Sequence, residues 1–267
     1  MFAVLGIALG IFILFYANHL EGVPIVALLK MDAALIVFGG TSAALMIHVG
    51  LRDLLSAIRC LSWVVVPPKT DSSAFIDEVS NWAKAARTRG ILALEEEVEG
   101  NRDHFAKTGL RALVDGRSYE DIRETLILVG DTEEHQNAVA GEVWEAAGGY
   151  SPTIGVLGAV LGLIHVMLNM SHPALLGSGI ATAFVATVYG VGSANLIFLP
   201  LGARMRSIAK HRMIYRELVM EGLLLLKKEA SPMLIKDRLE ALLESRLRVR
   251  REMGERRVED PQPMEAD

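Results

Sequence analysis

The chain has 267 residues, of which 51% are hydrophobic and 22% charged, and a positive mean hydropathy. That combination excludes an ordinary soluble globule and predicts apolar and charged segments separated along the chain. The net charge of -5, with Lys and Arg interleaved among Asp and Glu, excludes a nucleic-acid partner.

A first apolar span is predicted over Phe2 to Tyr16. It lacks a basic leader and an A-x-A cleavage site, so it reads as a retained span and not as a signal peptide. Asn18, His19, Glu21, Gly22 and Pro24 supply turn and interface residues, and a second span is expected over Ala33 to Leu51, carrying Gly39-Gly40-Thr41-Ser42. The middle segment reads as helical. Asp71-Ser72-Ser73 precedes Phe75, Ile76, Val79, Trp82 and Ala83 at three-and-four spacing, an N-cap followed by an amphipathic stripe. Gly90 and Gly100 punctuate short helices, and Ser118 to Val129 forms another capped one. Cys60, the single cysteine, excludes a disulfide framework and a cysteine-based zinc site.

From Ala146 to Ala203 there is no Asp, Glu, Lys or Arg. A helix of roughly 20 residues crosses the hydrocarbon core, so this stretch predicts a hairpin of two spans, Ser151 to Met170 and Gly179 to Leu201, turning at Asn169 to Pro173. From Ala203 to Arg251 the pattern is nearly continuous helix, broken at Ser231-Pro232. Of the 27 Lys and Arg residues, 26 lie between Arg52 and Arg123 or from Arg204 onward, and only Lys30 falls in a hairpin turn. Positive charge is held on the cytoplasmic side during insertion, which predicts cytoplasmic termini and a cytoplasmic middle region. The expected architecture is an all-α integral membrane protein with four transmembrane helices in two hairpins and a cytoplasmic helical region. Its segments are spans one and two over 1–51, a helical region over 52–149, spans three and four over 150–202, C-terminal helices over 203–257 and a disordered acidic tail over 258–267.

Small residues follow one face of spans three and four: Gly155, Gly158 or Ala159 and Gly162 in one, Gly179, Ala183, Thr187, Gly190 and Ala194 in the other. Such faces let backbones approach closely in lipid. They serve either packing between neighbouring helices or a narrow face toward a pore or partner helix. His165 lies on the glycine face as a proton relay or as a neutral hydrogen-bonded side chain. No Asp or Glu occupies the centre of a span, and Asp32 stands only at an edge. An ion path needs a charged or titratable group at depth, so a partner must supply it. Pro152 is expected at the first turn of span three, where a missing N–H costs nothing. Pro200, near the end of span four, is a candidate hinge. No nucleophile motif, phosphate-binding glycine loop or metal-ligand cluster points to an enzyme, a cofactor or a metal.

The run Tyr150-Ser151-Pro152-Thr153-Ile154-Gly155-Val156-Leu157-Gly158-Ala159-Val160-Leu161-Gly162-Leu163, with Ala186-Thr187-Val188-Tyr189-Gly190 and Phe198-Leu199-Pro200, resembles the MotA/PomA flagellar stator subunits. Ile36 to Thr41 and Ala86 to Glu95 extend the resemblance over most of the chain. The resemblance implies a bacterial inner-membrane ring of five such subunits around two MotB-like subunits, each with a single span carrying the ion-binding aspartate. Ion flow would turn the ring against a FliG-like rotor protein. By the same resemblance Arg87 and Glu95 engage the rotor, Pro152 and Pro200 couple conformation, and Ala159, Ala186 and Thr187 line the ion pathway and partner helix. Sodium-driven members carry threonine at all three of those last positions. Here only Thr187 is threonine, which favours protons over a sodium-driven PomA-type reading. The ExbB/TolQ energisers of outer-membrane transport are the neighbouring alternative, set apart by three spans instead of four, and a non-conducting membrane scaffold is the other.

Overall fold

The computed structural model describes residues 2–20, 22, 28–67, 71–101 and 103–259, and the regular structure among them is helical, with no strand. The turn residues Glu21 and Pro24 lie outside the described residues, as does the expected acidic tail apart from Val258 and Glu259, which close the last helix. The chain divides into two compact units, one of residues 1–68 and 135–209 and the other of residues 69–134 and 210–267. Two long helices, Tyr119–Leu168 and Leu199–Lys227, contribute to both.

The first unit holds the apolar sequence. Among the described residues, three helical stretches are long and apolar enough to cross a membrane: Met31–His48, Tyr119–Leu168 and Leu176–Lys227. The helix Phe2–Leu20 contains a shorter apolar stretch, Leu5–Ala17. Packing here inverts the soluble pattern. Ala33, Ala57, Ala140, Ala147, Ala183 and Ala186 are buried, whereas Leu5, Phe12, Leu35, Ile47, Met167 and Phe184 face outward. In lipid, apolar bulk gains nothing from being inside, and small residues at helix contacts bring backbones together. The region after the second apolar helix forms the helices Leu51–Cys60 and Ser62–Val65. Ala57, Cys60 and Val64 pack there with Ala140, Val143, Ala147, Leu201 and Met205, and the Trp144 indole donates to the Ala57 carbonyl at 3.3 Å.

Two expectations about helix ends are corrected. Tyr119–Leu168 is one continuous helix of 50 residues, not a short capped helix followed by a separate span. Its start is the expected one: the Asp121 N–H donates to Ser118 Oγ at 3.0 Å. Pro152 accordingly lies inside the helix, not at a first turn. A single proline removes one N–H and crowds the carbonyl four residues back. That carbonyl belongs to Gly148, and regular helix on both sides carries the chain through. Pro200 is handled differently. A π turn, Ala194–Phe198, runs directly into its helix and widens the backbone at Leu196, the residue whose carbonyl the ring would otherwise meet.

The second unit is a conventional apolar core of Phe75, Val79, Trp82, Leu94, Leu110, Leu126, Leu218, Leu223, Ile235 and Leu239 among others. The Asp71 carboxylate caps Ser72–Arg89 by accepting from the Ser73 and Ala74 N–H groups, each at 3.1 Å. Gly90 ends that helix at φ +84°, a conformation that suits glycine. The break at Ser231-Pro232 is present, with Ser231 Oγ accepting from the Leu234 N–H at 3.2 Å. Among the described residues one charge is taken inside: Arg216, 7% exposed, pairs with Glu133, donates to the Gly130 carbonyl at 3.3 Å and lies over the Phe105 ring. Burial pushes the Tyr215 hydroxyl well above its ordinary range, with the negative charges of Asp103 and Glu78 adding to it. Partial burial raises Glu78, and the nearby Glu97 charge raises it further.

Candidate functional site

The glycine-bearing faces of the two long apolar stretches pack against each other. A methyl group on Gly155 would stand 2.9 Å from the Ala186 carbonyl oxygen and 3.0 Å from Gly190 Cα, and one on Gly190 would stand 2.6 Å from the Ser151 oxygen. Further along, Gly162 faces Ala183 and the Gly179 carbonyl, while in the other direction Gly141 faces the Gly202 carbonyl. Of the two readings of these small faces, the packing one therefore describes Gly155, Gly162, Gly179 and Gly190. Helix Met31–His48 closes on the same seam: Gly158 lies against both Ala186 and Ile36, and Gly40 against Ile154.

Ala186 is fully buried in a cluster with Ala33, Val37 and Val185, so it is enclosed within the subunit. Ala159 and Thr187, each adjacent in sequence to the Gly158–Ala186 contact, are half-buried and remain reachable from outside. The Thr187 hydroxyl donates back to the Ala183 carbonyl at 3.3 Å, the ordinary behaviour of a helical threonine. His165 is exposed, 3.5 Å from the Asn169 side-chain amide. His48, at the end of its helix, meets the Tyr150 hydroxyl at 3.2 Å.

The structure brings the two prolines to one zone. Gly148 lies against Leu199, and one turn further on Ser151 Oγ and Ser193 Oγ are 2.7 Å apart in a buried bond. Pro152 and Pro200 are the immediate neighbours of Ser151 and Leu199. Beyond them Arg206 pairs with Glu145, the last carboxylate before the charge-free stretch. The serine pair and this ion pair are contacts that sequence reasoning missed, because helical periodicity identifies a buried face but not the residue opposite it.

Arg87 and Glu95 both sit in the second unit, exposed, on either side of the Gly90 turn. Arg87 donates to the Glu229 carbonyl at 3.4 Å, and Glu229 holds φ +56° just past the end of Leu199–Lys227. Glu95 opens the short helix Glu95–Gly100, where its charge favours the helix N-terminus.

Residues 97–218 match the MotA/TolQ/ExbB proton channel family. Motility protein A of Bacillus subtilis is 33% identical over 258 residues, which cover 95% of this chain and 94% of that protein. The flagellar MotAB stator complex from Bacillus subtilis contains a chain with 31% identity and a TM-score of 0.80, covering 91% of this chain and 96% of that one. C. jejuni MotAB gives a TM-score of 0.82 at 26% identity, covering 90% of this chain and 94% of that one. Sequence and fold thus agree over nearly the full length, and the chain belongs to the MotA/TolQ/ExbB proton channel family, among its motility protein A members.

Proposed function

We propose that this chain is the ion-conducting stator subunit of a bacterial flagellar motor, coupling proton flow to torque on the rotor. The observation that carries this reading is the near-full-length match, in sequence and in fold, to motility protein A and to MotAB stator complexes. It sits in the inner membrane with four spans in two hairpins and both termini in the cytoplasm. Phe2–Leu20 and Met31–His48 form the first hairpin and the glycine-faced pair the second. The distribution of Lys and Arg supports that orientation, and 52–149 with 203–257 then form the cytoplasmic part.

The charge-free stretch from Ala146 to Ala203 supports a MotB-like partner that brings the ion-binding aspartate on its own single span. Five copies of the chain surround two copies of that partner. Among the lining candidates, Ala159 and Thr187 are the accessible pair, and Ala186 acts from behind by fixing the seam on which they stand. With alanine at 159 and 186 the site offers too few hydroxyls to replace a sodium ion's water shell, which favours protons. Arg87 and Glu95 contribute steering and register to a transient contact with a FliG-like rotor protein, and Pro152 and Pro200 couple span movement to that contact.

Deletion of the gene leaves flagella assembled but paralysed. Wild type restores swimming, which a protonophore stops and sodium removal does not. Arg87→Glu, Pro152→Ala and Thr187→Ala assemble but swim poorly. Normal swimming in a deletion strain that has no second stator set would refute the reading.

A further inference from the structure

The buried serine pair lies between the two prolines, where the partners are unequal. Ser151 is 0% and Ser193 6% exposed, with their hydroxyl oxygens 2.7 Å apart. Ser193 Oγ also lies 3.2 Å from the Gly190 carbonyl of its own helix and donates to it. A serine hydroxyl has one proton to give. With the Ser193 proton on Gly190, the proton between the two oxygens is that of Ser151, and Ser193 accepts.

Ser151 has a second acceptor within its own helix. Pro152 has no N–H, so the carbonyl of Gly148, four residues before it, lacks its helical donor. Gly148 is three residues before Ser151, the distance at which a helical serine bonds back to its own backbone. If Ser151 turns to Gly148, its proton stays bonded, the proline-orphaned carbonyl gains a donor, and Ser193 keeps its bond to Gly190. Neither arrangement strands a buried donor, the circumstance that makes a lost hydrogen bond costly. The backbones are in glycine contact one turn away, at Gly155 and Gly190, so the seam has a fixed point there. On the other side of the pair, the π turn Ala194–Phe198 gives the chain an irregular segment that can absorb movement.

We propose that Ser151 and Ser193 form an exchangeable latch that positions the proline-bearing ends of the two glycine-faced helices. In the latched arrangement Ser151 donates across to Ser193. In the released one it donates to Gly148, and the helices part from this point toward the cytoplasmic side. This rests on the stator reading above: the latch must open and close as the subunit works.

The test uses the full chain with its partner in a flagellated deletion strain, with Ser151→Cys and Ser193→Cys introduced singly and together. Under oxidant the double variant is expected to cross-link and stop rotating, and a reductant is expected to restore rotation in the same cells. The reduced state therefore serves as its own control for folding. The single variants, with Cys60 in place, are expected to rotate under both conditions. Cross-linked motors that rotate at the reduced speed would overturn the proposal, as would failure of the double variant to cross-link. Ser151→Ala leaves Ser193 bonded to Gly190, so the complex is expected in wild-type amounts with reduced torque at high load. A torque–speed curve matching wild type would also overturn the latch. Failure of the wild-type gene to restore motility would instead discard the stator reading itself.

Discussion

Gly190→Ala tests the helix seam at its closest backbone contact. The added methyl would lie 2.6 Å from the Ser151 backbone oxygen and 2.9 Å from Gly155 Cα, against an ordinary contact of 3.4–4 Å. Both obstacles are backbone atoms, so no rotamer change relieves them, and the helices must move apart by roughly an ångström along a packed face. Overpacking of this kind costs about 1–3 kcal/mol, against which alanine regains up to about 1 kcal/mol of helix propensity. With the full propensity gain the expected net loss is about 0–2 kcal/mol, or a melting point lower by up to about 8 °C on the scale of domains of 150–250 residues, and the gap to a glycine that gains only the propensity is the whole overpacking cost of about 1–3 kcal/mol. Gly192→Ala is the matched control, because a methyl there meets nothing within 4 Å inside the subunit. It is expected to hold or raise the melting point by the propensity gain alone. The assay is thermal unfolding of the full chain with its partner in detergent, followed by size exclusion. If Gly190→Ala melts with or above Gly192→Ala, the seam is not the close backbone contact argued from these distances.

Asp71→Ala removes the side chain that accepts from two N–H groups at the start of Ser72–Arg89. It should cost about 0.5–2 kcal/mol, while Asp71→Asn should lose far less, by chemical unfolding of the purified protein. Arg216→Met strips the buried partner of Glu133 and leaves that carboxylate with Arg212 at 3.6 Å and His104 at 3.8 Å. The expected loss is about 2–4 kcal/mol, and adding Glu133→Gln should recover part of it, a coupling that a double-variant cycle measures directly. Glu78 binds its proton more tightly in the folded chain than in the unfolded one, through burial and then the Glu97 charge. Its contribution therefore holds below the ordinary carboxylate range and is lost as pH rises through the raised folded value. Glu78→Gln should stabilise the protein slightly at neutral pH and not at pH below about 4.5, which melting curves at the two pH values compare.

Much of the fold was legible because its signals are local. The Asp71 cap, the Gly90 stop and the Ser231-Pro232 break follow from the conformational and hydrogen-bonding needs of those residue types, and each appears at its expected position. Pro152 misled the reading for an equally physical reason. Proline favours a first turn, yet a helix bonded on both sides can carry one inside at the loss of one backbone bond. The helices over 51–65 bury a face that charge pattern alone does not reveal, where Ala57, Cys60 and Val64 meet Ala140 and Leu201.

The candidate site divides along the same line. Arg87, Glu95, Thr187 and the two prolines could be named from the order and spacing of short motifs, because a family match needs only one chain read in one dimension. Their surroundings could not. That Ala186 is enclosed while Ala159 and Thr187 remain reachable depends on how three helices rotate about their axes.

Composition and periodicity in the sequence establish that the chain is helical, where its apolar and charged segments lie, and that no Asp or Glu stands at the centre of an apolar stretch, Asp32 lying only at an edge. Composition and periodicity are properties of single segments, and each of these conclusions needs no more. Tertiary structure alone decided which glycine meets which backbone, that Gly148 lies against Leu199, and that Ser151 and Ser193 share a buried hydrogen bond between the two prolines. Such pairings arise from the angle and register at which two helices cross, and residues 42 positions apart leave no mark of them in the sequence of either helix.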